Sequence, residues 1–154
     1  MNAQLKQPNI SFRAMQLGDL DTIIQIEKVN FPFPWTVGNF KDSITSGHYC
    51  VVLEMEDTII GYAILMMVLD EAHLLNISVA PSCKGRGWGR HLLNHMMQVG
   101  QDKGGLNMFL EVRTSNTSAI TLYESIGFNE MGLRPGYYPA HNGREDALLM
   151  GVAL

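Results

Sequence analysis

The chain has 154 residues, a length that suits one domain of ordinary size able to bury most of its apolar surface without a disulfide or metal staple. Hydrophobic residues make up 46% and charged residues 17%, which excludes a disordered tail. The 11 basic and 15 acidic residues leave a net charge of −4, which argues against a basic nucleic-acid-binding surface. Glycine is in excess at 15 residues, against an average of roughly 7%.

Cys50 and Cys83 have neither metal-ligand spacing nor a disulfide framework. The first eight residues lack the apolar core of a signal peptide, and the longest apolar run, over 63–69, is too short for a membrane helix. The expectation is a cytoplasmic protein with no membrane or nucleic-acid partner.

In chain order, residues 10–15 read as an opening strand. Asp19 is placed to cap a helix that carries Leu20, Ile23 and Ile24 on one face and ends near Asn30. The stretch 31–35 breaks it, because Pro32 and Pro34 push their predecessors towards extended geometry. Thr36 then caps a second short helix, closed by Gly47. Strands follow over 49–55 and 58–69, turning at Glu56-Asp57, and a third over 72–79 stops at Pro81.

A helix is predicted over 87–103, with Leu92, Leu93, Met96 and Met97 on its apolar stripe, and Gly104-Gly105 ends it. A strand over 107–113 leads to a helix over 116–126, with Ala119, Leu122, Tyr123 and Ile126 on one face and Gly127 as its stop. The last two strands, over 128–133 and 144–152, are joined by a predicted long loop containing Pro135, Gly136, Pro139 and Gly143. Helices alternating with strands in the middle and hairpins at the ends give one α/β domain over residues 1–154, its core at about 11–152, around a mixed sheet.

The most informative short stretch is Lys84-Gly85-Arg86-Gly87-Trp88-Gly89-Arg90, which follows a strand and opens a helix. Free backbone N–H groups and the positive helix end make a seat for phosphate there, and the three cationic side chains add charge. The spacing matches neither the dinucleotide fingerprint nor the Walker loop. Taken without other context it reads as a phosphate loop or as a tight strand-to-helix turn.

This loop resembles the [Q/R]-x-x-G-x-[G/A] pyrophosphate loop of the GNAT acetyltransferase superfamily. Five more segments are similar to its RimI family of ribosomal-protein alanine acetyltransferases: Phe33-Pro34-Trp35, 68–72 (VLDEA), 110–113 (LEVR), 122–128 (LYESIGF) and Tyr137-Tyr138-Pro139. The likeness runs over about 11–150 and implies the GNAT fold, a mostly antiparallel central sheet flanked by helices. It also implies direct transfer from acetyl-CoA to the N-terminal alanine of a small-subunit ribosomal protein, number eighteen; another peptide N-terminus, a lysine or a small amine is the alternative acceptor. Lys84 departs from the family's usual Arg or Gln, offering a point charge in place of a bidentate fork.

The resemblance assigns a general base to Glu111 and the acid that protonates the departing thiolate to Tyr123. By alternation Glu111 faces away from Leu110 and Val112, so its own reading is also that of a solvated carboxylate paired with Arg113. Tyr123, on an apolar stripe, equally reads as a core tyrosine. Coenzyme contacts are implied for the backbone of Ile77, Ser78 and Val79, for Lys84, Gly85, Arg86, Gly87, Trp88, Gly89 and Arg90, and for Asn116, which reads equally as a helix cap. Phe33, Pro34 and Trp35 on one loop and Tyr137 and Tyr138 on another are the implied peptide walls, or else aromatics covering a core edge. His91 and His95, four apart on a helix, lack the glutamate of a metal-binding H-E-x-x-H, and no metal is expected.

Overall fold

The computed structural model describes residues 8–154; the reading of the first residues as lacking a signal peptide lies mostly outside them. Seven strands form one sheet in the order β1-β2-β3-β4-β5-β7-β6: β1 (Ile10–Ala14), β2 (Tyr49–Met55), β3 (Thr58–Val68), β4 (Glu71–Val79), β5 (Asn107–Arg113), β6 (Asn129–Ala140) and β7 (Gly143–Ala153). Every neighbouring pair is antiparallel except β4 with β5. Among the described residues four α-helices flank the sheet: α1 (Leu20–Asn30), α2 (Val37–Thr45), α3 (Trp88–Asp102) and α4 (Thr117–Ile126).

β2 and β3 are apolar over most of their length because both of their faces are covered. In β2, Val51 and Leu53 enter a core with Leu92, Leu93 and Met96 of α3, while Cys50 and Val52 face Ile23 and Ile24 of α1 and Phe40 of α2. α4 joins α3 on the first face through Tyr123, Ala119 and Leu122. On the second face α1 and α2 cover only the half of the sheet built from the early strands.

Local chemistry follows the sequence closely in places. Thr36 Oγ1 accepts from Asn39 N at 3.1 Å, capping α2, and the Glu56-Asp57 turn has both residues at positive φ, as a two-residue hairpin requires. Asp19 behaves differently from the expected cap of α1. A 3₁₀ turn, Leu17–Asp19, precedes that helix, and the Asp19 carboxylate accepts from Gln16 N at 2.7 Å and from both terminal nitrogens of Arg13 at 2.8 Å.

The larger correction concerns the chain after Leu133. The expected long loop is strand: β6 continues to Ala140 and turns into β7 at Gly143. Pro135, Gly136 and Tyr137 form a bulge, since Arg134 pairs with Ala147 and the next rung joins Tyr138 to Glu145. Asp146 Oδ1 accepts from Gly136 N at 2.9 Å, and Arg144 Nη2 donates to Tyr137 O at 2.9 Å, so the bulge is tied to β7. Prolines are tolerated because β6 is an edge strand, where a missing N–H breaks no ladder. Tyr137 and Tyr138 therefore stand on a strand, where a loop was expected.

Candidate active site

The site begins as an interruption in the sheet. β4 and β5 pair over only four rungs, from Glu71↔Asn107 to Leu74↔Leu110. Leu75 is an extra residue in β4, because Ile64 pairs with Asn76 while Leu65 pairs with Leu74. Such a bulge bends the strand, and beyond it the two strands no longer pair. The opening is a cavity of about 570 Å³ lined by residues of β4 from Leu74 to Val79 and of β5 from Leu110 to Arg113.

Ala80 N donates to Ile60 O, on the β3 side of β4. By alternation the backbone groups of Ile77 and Val79 point the other way, into the opening. That leaves a short sheet edge on which the Ile77 groups and the Val79 N–H face the cavity, while the Val79 carbonyl accepts from Asn30 Nδ2 at 2.8 Å. At its end the chain passes through Lys84 and Gly85, which line the cavity, to Gly87 at φ 86° and the start of α3. That helix has no side-chain cap and no acidic residue in its first turn, so its amide N–H groups and positive dipole end are available to an anion. Gly89 packs against α4, where an added Cβ would meet Leu122 Cδ2 at 3.4 Å. Of the other loop residues, Arg90 donates to Ser125 Oγ of α4 at 2.6 Å and Trp88 packs edge-on to His91; Arg86 is exposed.

Glu111 is the first β5 residue past the last rung. Its Oε1 lies 3.4 Å from Arg134 Nη1, and its Oε2 is buried with no hydrogen-bond partner. The alternative pairing with Arg113 does not form, because Arg113 donates to Glu145 Oε1 at 3.0 Å and Pro139 O at 2.7 Å. Glu111 borders two cavities, the one above and another of about 460 Å³ that also holds Arg134, Tyr137 and His73. Tyr123, on α4, lines the first cavity with Glu111; burial raises its hydroxyl well above the usual range. Tyr138 is pushed up to about 12, first by burial and then by the nearby Glu111 carboxylate.

The aromatic residues assemble around Arg113, whose guanidinium sits 5.0 Å from the Phe33 ring centre and 4.6 Å from that of Tyr138. Phe33, Trp35 and Tyr138 line the main cavity, Tyr137 stands against Arg134 in the second, and Pro34 borders neither. Asn116 also lines the main cavity, while its Oδ1 accepts a long 3.4 Å bond from Ala119 N. His95, considered with His91 as a metal pair, is stacked 3.7 Å from Phe12 and hydrogen-bonded to Tyr49 at 2.7 Å.

Two polar residues of α1 were not anticipated. Glu27, 2% exposed, accepts from Tyr62 Oη at 2.6 Å, Asn76 Nδ2 at 3.1 Å and Trp35 N at 3.0 Å, joining α1, β3, β4 and the aromatic loop. Asn30 Nδ2 donates to Ser78 Oγ at 2.6 Å and Val79 O at 2.8 Å. The signal for Glu27 lies in the sequence: it falls seven residues after Leu20 and four after Ile23, on the buried stripe.

The model of the acetyltransferase (GNAT) family matches residues 20–128. The chain belongs to the GNAT acetyltransferase family. It is 41% identical over 136 residues to the [ribosomal protein bS18]-alanine N-acetyltransferase of Salmonella typhimurium, covering 88% of this chain and 92% of that protein. Against the Haemophilus influenzae protein of the same name it is 40% identical, covering 88% and 93%. The crystal structure of the ribosomal-protein-S18-alanine N-acetyltransferase from Escherichia coli superposes with a TM-score of 0.86 at 37% identity, covering 94% of each chain. An Arabidopsis thaliana protein solved with the bisubstrate analogue CoA-Ac-MVNAL shares the fold, with a TM-score of 0.79 at 21% identity and coverage of 94% and 99%.

Proposed function

We propose that this protein, as one N-acetyltransferase domain over residues 1–154, transfers acetyl from acetyl-CoA directly to the N-terminal alanine of ribosomal protein bS18 in the cytoplasm. The observation that carries the reading is the position of Glu111, on the boundary of two cavities with one carboxylate oxygen buried and unpartnered. The proteins of Salmonella typhimurium and Haemophilus influenzae named for this reaction, at 40% identity or more over most of their length, support the choice of acceptor.

The residues of the main cavity fit the coenzyme. Lys84, Gly85 and Gly89 of its lining, with Arg86, Gly87, Trp88 and Arg90 beside them at the N-terminus of α3, would hold its pyrophosphate, and the β4 edge over 77–79, through the groups of Ile77 and Val79 that face the opening, would carry its amide arm. Asn116 borders the same cavity and would add a contact. When bound, acetyl-CoA supplies a thioester for attack by an amine. An α-amino group has a pKa of roughly 7.7–8.0 and is mostly protonated at neutral pH, so a base is needed. Glu111 takes that proton, directly or through one water. An N–H on the open β4 edge polarises the reacting carbonyl. Tyr123, kept protonated by burial, donates to the departing sulfur. No metal is used. Phe33 and Trp35 on one side and Tyr137 and Tyr138 on the other enclose the peptide backbone.

The test is acetylation of a synthetic peptide with the bS18 N-terminus beside an N-blocked, lysine-bearing control. Acetyl should appear on the free α-amine alone. Equal or greater labelling of the control overturns the reading.

A further inference from the structure

Among the described residues, only two buried side-chain polar atoms lack a hydrogen-bond partner: Glu111 Oε2 and Asn30 Oδ1. Both residues line the same cavity. A buried acceptor left unpaired forfeits its hydration without a replacement, so each such atom calls for a physical explanation. Glu111 has one in the amine it serves. Asn30 has none in the chemistry so far.

The orientation of the Asn30 carboxamide is fixed by its neighbours. Val79 O can only accept, so the atom 2.8 Å from it must be the NH₂ group, which also meets Ser78 Oγ at 2.6 Å. The carbonyl oxygen is thereby held free. The carboxamide occupies the unpaired edge of β4 at Val79 much as one peptide unit of a neighbouring strand would. It takes up the Val79 carbonyl and offers its own C=O in exchange. Asn30 lines the cavity along that edge, and its buried oxygen is the unpaired acceptor nearest Val79 O.

Position along β4 identifies the donor. Val79 lies between Lys84 and Gly85, where phosphate would sit, and the bulge at Leu75 beside Glu111, where transfer would occur. The aromatic residues Phe33 and Tyr138 gather around Arg113 of β5, two residues beyond Glu111. We propose that Asn30 is a coenzyme-binding residue whose Oδ1 accepts a hydrogen bond from an amide N–H of the pantetheine arm of acetyl-CoA. This rests on the reading of the cavity as an acetyl-CoA site.

The test is calorimetric binding of CoA, without peptide, to the wild-type protein and to Asn30→Leu and Asn30→Ala. Two analogues are included, in which one or the other arm amide N–H is replaced by an ester oxygen, which keeps the shape and removes the donor. The expected result is that wild type binds one ester analogue roughly 5–20-fold more weakly than CoA. Each Asn30 variant binds CoA more weakly by a similar factor and no longer distinguishes that analogue. Thermal unfolding of each variant accompanies the titration, and the comparison of CoA with its analogue within one protein is independent of any change in stability. The proposal is overturned if wild type binds both analogues as tightly as CoA. It is equally overturned if the variants still discriminate, or if they keep CoA affinity and show only a raised KM for peptide. Wild-type protein that binds no CoA at all would sink the acetyltransferase reading itself, a different and separately visible failure.

Discussion

The Arg113 guanidinium lies 4.6 Å from the ring centre of Tyr138 while its Nη1 donates to Pro139 O at 2.7 Å. With Phe33 5.0 Å away, one cation ties the aromatic loop after α1 to the β6 strand across the cleft mouth. Arg113→Ala removes both ring contacts and should raise the KM for peptide about 5–30-fold, the equivalent of roughly 1–2 kcal/mol. Arg113→Lys should restore little, since an ammonium lacks the planar fork that stacks and hydrogen-bonds at once. Steady-state kinetics with peptide varied at saturating acetyl-CoA checks this, and an unchanged KM contradicts it.

Glu111→Gln keeps the shape of the side chain and removes the base. Turnover should fall roughly 10²–10⁴-fold while CoA affinity stays within about twofold. Calorimetry beside single-turnover kinetics separates the two quantities, and a variant with near-normal turnover excludes Glu111 as the base.

Tyr123→Phe tests the acid. The residue is 6% exposed and its ring lies 5.6 Å from Phe128, so removing one oxygen preserves most of the packing. A role in protonating sulfur predicts a fall in kcat of roughly 10²-fold or more with little change in the melting temperature. A merely packed tyrosine gives normal kcat.

Glu27→Ala leaves Tyr62 Oη, Asn76 Nδ2 and Trp35 N without their acceptor. Each buried donor so stranded costs about 1–3 kcal/mol, and the loss should show as a lower urea midpoint. Glu27→Gln retains one acceptor oxygen and should fall between wild type and Ala. Identical midpoints for all three would show the cluster to be dispensable.

Arg13 hydrogen bonds hold the Asp19 carboxyl below its ordinary value of 3.8. A carboxylate whose folded pKa is lowered contributes stability that is complete above the unfolded value and disappears as pH falls through the folded one. Asp19→Asn should therefore be less stable than wild type at pH 7, with the difference closing as the solution is taken well below pH 3.8. Urea midpoints at the two pH values measure it, and a gap that does not change with pH removes the linkage.

How much of this was legible beforehand depended on whether the signal was local. The Thr36 cap, the Glu56-Asp57 turn and the stripes of α3 and α4 are set by residues within one turn of each other, and they appear where the sequence puts them. The extension of β6 is different. Pro135 and Gly136 carry a loop's composition, and only the ties to Asp146 and Arg144 of the partner strand make them a bulge. Within the site, family motifs led to Glu111 and Tyr123. Asn30 belongs to no motif and becomes visible only through Ser78 and Val79, some fifty positions later in the chain. Its importance comes from a hydrogen bond it does not make.

The four rungs between β4 and β5 have a mechanical meaning. The sheet is two antiparallel ribbons, β1 to β4 and β5 with β7 and β6, stitched along a short seam. A molecule threaded into the gap would bridge the ribbons where the stitching stops. Ala72 and Met108, the second rung of that seam and both wholly buried, then set the gape of the cleft without touching anything in it. Repacking those two side chains is a way to tune ligand grip from behind the sheet.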